Sequence, residues 1–299
     1  MRRIDHPIHA FAAALGAVAV LSIMDAVMKH LVLAIGIIAV SIWRAVANLL
    51  ISGALYLPRR RPWPSRRILG IHVSRSVVVT VMAVLFFWGI GRVPLAQAIA
   101  LTFIAPLIAM MLSPMVLKER LSGRSIAGAV VAFAGVVVIV LGQAHAEVRP
   151  DVLLGIAAIL ASALCYSVNI LMMRWQALAA KPLEINFFQS VVVLLLWIAA
   201  LPLAGLQAWP HGQVTWIAIA SILSTSGGLL FAWAYARGEA NYLAVTEYSA
   251  FIWASALGWL VFRERVSLYT LAGAVLIIGG CLIAARRKHP ALPEIDIAS

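Results

Sequence analysis

Two stretches decide the fold: LKERLSGRSIAGAVVAFAG (117–135) and FRERVSLYTLAGAVLIIGG (262–280). Overlaid at an offset of 145, they align Glu119-Arg120 with Glu264-Arg265, Ser122 with Ser267, Gly128 with Gly273 and Gly135 with Gly280. The register runs back without a gap to Phe86 and Phe231, Trp88 and Trp233, and Arg92 and Arg237. Ala, Leu and Val identities are cheap in such a composition and carry no weight. The aromatic, charged and glycine identities do. The chain therefore reads as two copies of one unit, 1–145 and 146–290, with a short tail over 291–299.

Of the 299 residues, 64% are hydrophobic and 11% charged, and the mean hydropathy is +1.01. A soluble domain carries about 45–50% apolar and about 25% charged residues, so a soluble enzyme and a disordered chain are both excluded. The solvent is lipid, and each crossing helix needs about 20 apolar residues. Spans are expected near 10–30, 33–57, 73–91, 94–116, 124–142, 152–174, 183–205, 213–236, 241–262 and 267–285. Pro58, Pro62, Pro64, Pro150, Pro182 and Pro210 fall at or between their ends, where helix breakers belong. The runs are continuous, unlike the alternating segments of about ten residues in a membrane barrel. The N-terminal apolar run is longer than a cleavable signal, so it is expected to be a retained first span.

The net charge of +12 would suggest nucleic acid on a soluble chain. Here it follows the positive-inside trend, and no nucleic-acid partner is expected. With the N-terminus cytoplasmic, most of the 23 Lys and Arg fall inside, including the PRRRPWPSRR stretch after span 2. Both termini are then cytoplasmic, in a bacterial inner membrane. Lys29, Arg92, Arg149, Arg263 and Arg265 fall outside, and Arg44 lies within a span. Five spans per half is an odd number, so the second half must enter the membrane upside down. The expected fold is all-α, ten transmembrane helices as two inverted five-helix repeats. Such repeats are a signature of secondary transporters. The inversion also explains Arg263 and Arg265, the images of the cytoplasmic Lys118 and Arg120.

At PLAQAIALTFIAPLIAMMLSPMVLKERLSGRSIAGAVVAFAGVVV (94–138) and TEYSAFIWASALGWLVFRERVSLYTLAGAVLIIGG (246–280), the chain resembles the drug/metabolite transporter superfamily with two EamA-type repeats. The shared features are a Pro-containing fourth span, a Glu in the following loop and a Gly-rich fifth span. The second repeat has Val245-Thr246 where the family often has a proline. The resemblance implies a carrier, with S-adenosylmethionine, riboflavin or amino acids as solutes described for similar members.

A charge inside the membrane costs about 2.5–3.5 kcal/mol on insertion scales and is a functional candidate by default. Asp25, Arg44 and Glu247 qualify. Asp25 and Lys29 are four apart and could pair, and Arg44 could reach Asp25 or an anionic solute group. A carboxyl in low dielectric favours its protonated form, so Asp25 and Glu247 are the proton-coupling candidates. Gln97, Asn169 and Gln189 are candidate polar contacts for solute, or glue between helices. Trp43, Tyr166, Tyr248 and Trp253 could stack on a planar solute or contact a cation, and plain packing is the alternative. The Gly128/Gly135 and Gly273/Gly280 pairs are structural, allowing helices to approach closely. Glu119 and Glu264 read as anchors at helix ends.

No phosphate-binding loop is present, which excludes an ATP-driven pump core. The histidines sit in tails, loops or span ends, and no metal or other cofactor is expected. The acids are too few and scattered for an enzyme centre. The sequence thus points to alternating-access transport of a small organic solute, with protons as a candidate second partner. An exporter of amino acids or drugs, or a non-transporting scaffold or sensor, is the alternative. The oligomeric state is not legible.

Overall fold

In lipid, a backbone segment must satisfy its own polar groups, and a helix does so within the segment. The computed structural model describes residues 7–59, 63–117, 123–145, 150–204, 209–210, 212–235, 237 and 240–285. Among these it is helical, without strands. The order is α1 (Pro7–Tyr56), a 3-10 turn (Leu57–Arg59), α2 (Arg66–Ile90), α3 (Leu95–Thr102), α4 (Ala105–Leu117) and α5 (Gly123–His145). Then come α6 (Pro150–Ala179), α7 (Pro182–Ala204), α8 (Val214–Tyr235), α9 (Ala240–Glu247), α10 (Ser249–Phe262) and α11 (Leu268–Ala285). Eight helical stretches are long and apolar enough to cross a membrane, and Leu268–Ala284 is a shorter apolar helix. Phe133, Ile252, Trp259, Leu260 and Val275 are exposed, as suits a surface bathed in hydrocarbon rather than water.

Four expected spans differ in detail. Spans 1 and 2 form the single element α1, interrupted at Gly36 (φ 78°, ψ 160°). Twenty residues of straight helix would part Met24 from Arg44 by about 30 Å, yet Arg44 Nη1 lies 4.0 Å from Met24 Sδ. The chain therefore doubles back at Gly36. A Cβ there would meet nothing within 4 Å, so the demand for glycine is torsional: this region is essentially closed to other residues.

Span 4 is broken after Thr102 into α3 and α4, and span 9 is broken at Tyr248 into α9 and α10. In the first break Pro106 removes an N–H donor. The second break forms without a proline. Phe103 and Tyr248 are images at the 145 offset, and their rings meet edge to face at 5.4 Å.

The packing repeats this equivalence. α5 crosses α11 with Gly128 against Gly280 and Gly135 against Gly273, where an added Cβ would come within 2.4–2.6 Å of a carbonyl oxygen. Rising numbers on one helix meet falling numbers on the other, so the two are antiparallel. α2 packs on α6 and the first arm of α1 packs on α8. The Arg92 guanidinium stacks on Trp88 at 3.5 Å and donates to its carbonyl. Arg237 does the same to Trp233, at 4.3 Å. The loop holding Lys118, Glu119 and Arg120, the Arg60-Arg61 pair, Arg149 and both tails lie outside the described residues.

Candidate functional site

A polar cavity of about 670 Å³, counting its space open to solvent, lies between the second arm of α1, α2, α7 and α8. Ser41, Arg44, Ala45, Asn48 and Val79 line it from the first half, and their 145-offset images Asn186, Gln189, Ser190, Val193 and Ser224 line it from the second. The cavity thus sits where equivalent faces of the two halves meet. Thr80, Ala83 and Trp197 complete it. Helical spacing explains the wall: Ser41, Arg44, Ala45 and Asn48 follow the i, i+3, i+4 pattern of one helix face.

Arg44 lies over the Phe87 ring at 5.0 Å and beside Met24 Sδ. Asp25 is close enough to interact with it electrostatically. Among the described residues no carboxylate is within 4.0 Å of the Arg44 guanidinium. Asp25 does not pair with Lys29, contrary to the i, i+4 expectation.

Behind the cavity lies a network absent from the sequence reading. Its hub is Arg75, in α2. The Arg75 Nε donates to Asn169 Oδ1 at 2.8 Å, and its Nη1 donates to Gln176 Oε1 at 2.5 Å and Gln189 Oε1 at 3.2 Å. Gln176 Nε2 reaches His72 Nδ1 at 2.7 Å. His72 Nε2 lies 3.4 Å from Glu184 Oε1, and the His72 ring stacks on Phe188 at 5.3 Å. His72 is fully buried rather than at a loose span end. This network joins α2, α6 and α7 through groups that would cost several kcal/mol unpaired in lipid.

A second cluster forms at the break between α9 and α10. The Tyr235 hydroxyl donates to Glu247 Oε1 at 2.5 Å, and Tyr166 is within electrostatic reach of the same carboxyl. Tyr248 follows at the break, and the Cys281 thiol donates to the Phe103 carbonyl freed at the other break, at 3.3 Å. Broken helices of this kind characteristically build midplane sites in transporters.

A clasp ties the first arm of α1 to the segments before α3 and after α10. Lys29 donates to Val93 O at 2.7 Å and pairs with Glu264, whose other oxygen accepts from the Leu95 amide at 2.8 Å. Arg263, in the left-handed region at φ 58°, turns the chain so that Glu264 faces inward, and the Glu264 amide donates to Gly258 O. Glu264 is an anchor, as its place at a helix end suggested.

Of the expected site residues, Arg44 and Gln189 line the cavity. Asn169 and Gln189 are held by Arg75, while Tyr166, Glu247 and Tyr248 gather at the break. Gln97 is buried within α3. Trp43 packs edge-on against Trp209 at 5.8 Å, and Trp253 is 39% exposed; neither lines the cavity. The reading missed Arg75, His72 and Gln176 as a bonded set, and Tyr235 as the partner of Glu247. Their i, i+3, i+4 relation was available for His72 and Arg75 alone, because the other partners are far off in sequence. Among the described residues there is no group of His, Cys, Asp and Glu able to hold a metal.

These features define an integral membrane protein whose two halves enclose a polar cavity. The chain belongs to the EamA-like transporter family, whose model matches residues 9–141 and 153–286. It is 24% identical to the pseudopaline exporter CntI of Pseudomonas aeruginosa, over 89% of this chain and 92% of that one. It is 24% identical to the S-adenosylmethionine uptake transporter of Rickettsia felis, over 73% and 75%. An uncharacterized transporter of Helicobacter pylori is 27% identical over 70% and 71%. A crystal structure of a 22% identical protein superposes with a TM-score of 0.61, covering 95% of this chain and all of that one.

Proposed function

We propose that this protein is a secondary transporter of a small organic solute across the bacterial inner membrane, built of ten spans in two inverted five-span halves. The observation that carries this reading is the cavity wall, where five positions of one half face their five images in the other. Two copies in opposite orientation can exchange conformations, and a cavity on their common axis then opens to each side in turn. The antiparallel glycine crossing of α5 and α11 and the reversal at Gly36 support the ten-span count. In this reading the Lys29–Glu264 ion pair holds closed the face that the charge asymmetry assigns to the outside.

Relatives named for export and for uptake both match, and the mechanism itself runs either way. Glu247, with Tyr235 and Tyr166 around it, and Asp25 beside Arg44 are the coupling candidates. The test is solute counterflow in proteoliposomes at several pH values. Glu247→Gln is expected to abolish the pH dependence while leaving the fold intact; unchanged dependence removes Glu247 from coupling. Reporter fusions at residues 1 and 150 are expected on opposite faces, and the same face for both would overturn the inversion. A scaffold or sensor would move no solute in any condition.

A further inference from the structure

We propose that the cavity at Arg44 receives a carboxylate of the solute, so that the carried class is an organic anion with a compact apolar body. The inference rests on the transport reading and adds the sign of the cargo.

The charge census of the wall decides that sign. Among the described residues lining the cavity, Arg44 is the one with a formal charge, and no Asp or Glu is present. A cationic solute would enter against a guanidinium that no carboxylate on the cavity wall offsets, in low dielectric where like charges repel strongly. An anion would supply what the guanidinium lacks. Arg44 carries five N–H donors in a fork that matches a carboxylate, yet its close contacts are a thioether sulfur and an aromatic ring.

The neighbouring groups point the same way. Arg75 stands behind Gln189 and binds its carbonyl oxygen. That leaves the Gln189 amide N–H donors for other partners and adds a second positive charge to the field. Thr80 and Ser190 donate to backbone carbonyls at 2.8 Å, so their hydroxyls are oriented by the helices that carry them. Ala45, Val79, Ala83, Val193 and Trp197 supply an apolar wall for the rest of the molecule. Asp25, within electrostatic reach of Arg44 but not paired with it at short range, is the resting counter-charge that an incoming carboxylate displaces.

The experiment uses the full chain in lipid nanodiscs and reads intrinsic tryptophan fluorescence, with Trp197 as the cavity reporter. The probes are benzoate, phenylacetate and indole-3-acetate, each against its neutral amide, together with inorganic phosphate. The acids are expected to bind roughly tenfold tighter than the amides, the difference a charge-assisted bond supplies. Arg44→Gln is expected to erase that difference, Arg44→Lys to keep part of it, and Asp25→Asn to tighten acid binding. Phosphate is expected to compete weakly, because it lacks the apolar body. Acids and amides binding alike, no acid binding at millimolar concentration, acid binding unchanged in Arg44→Gln, or phosphate binding as tightly as the acids would each overturn the inference. A folded Arg44→Lys protein with wild-type melting serves as the control for Arg44→Gln. Counterflow of neutral or cationic solutes that ignores Arg44 would sink the anion site and leave transport standing. Selective acid binding without any counterflow would do the reverse.

Discussion

Glu264 holds two donors at once, the buried Lys29 ammonium and the Leu95 amide, so its loss strands both. Lys29 is 4% exposed, and removing one partner of a buried pair costs about 3 kcal/mol or more because the other charge stays behind. Lys29→Met and Glu264→Gln should each lower stability by about that amount in denaturant titrations of the detergent-solubilised protein. The double variant should lose clearly less than the sum, since the two act through one contact. Gln176 is a comparable joint, bridging Arg75 and His72. Gln176→Leu should destabilise by about 2 kcal/mol, read by the same titration, because both partners lose a bond in a buried place. Asn169→Ala should cost less, as Arg75 keeps its two glutamine oxygens.

At the level of elements, two kinds of glycine are at work. Gly36 needs its torsion angles and has open space around it, so Gly36→Ala should cost about 1–3 kcal/mol through backbone strain alone. Gly135 needs space: its Cβ position is 2.6 Å from a carbonyl oxygen of the opposing helix. Gly135→Val should push α5 from α11 and lower the melting temperature more than Gly36→Ala does, in thermal melts followed by circular dichroism. The glycine spacing of seven made the second role legible in the sequence, and apolar length marked the spans. The first role was not legible, because Gly36 lies inside an unbroken apolar run where no polar loop marks the turn. The break at Tyr248 was hidden for a related reason, as no proline marks it. In the candidate site, isolated intramembrane residues such as Arg44 and Glu247 stood out because charge in lipid is rare. The Arg75 network did not, since Arg75 reads as one more basic residue beside the PRRRPWPSRR stretch.

For the molecule as a whole, the proposed alternating-access cycle requires that the Lys29–Glu264 clasp come apart. A disulfide or short cross-link between cysteines placed at 29 and 264 should therefore stop counterflow, and reduction should restore it. Counterflow that survives complete cross-linking would show that this end stays shut through the cycle. The two halves differ where they matter: Arg44 lines the cavity from one half and its image Gln189 from the other, so a symmetric frame carries an asymmetric charge. The reversal at Gly36 bears on how the chain is made. Residues 31–42 hold no charge, so the nascent hairpin offers nothing near its tip to set its orientation. On the proposed topology that decision falls to the arginines synthesised just after it, which the positive-inside trend keeps cytoplasmic. Both arms must then be inserted together as one unit, and neutralising those arginines should scramble the topology of the newborn protein from its first pair of helices onward.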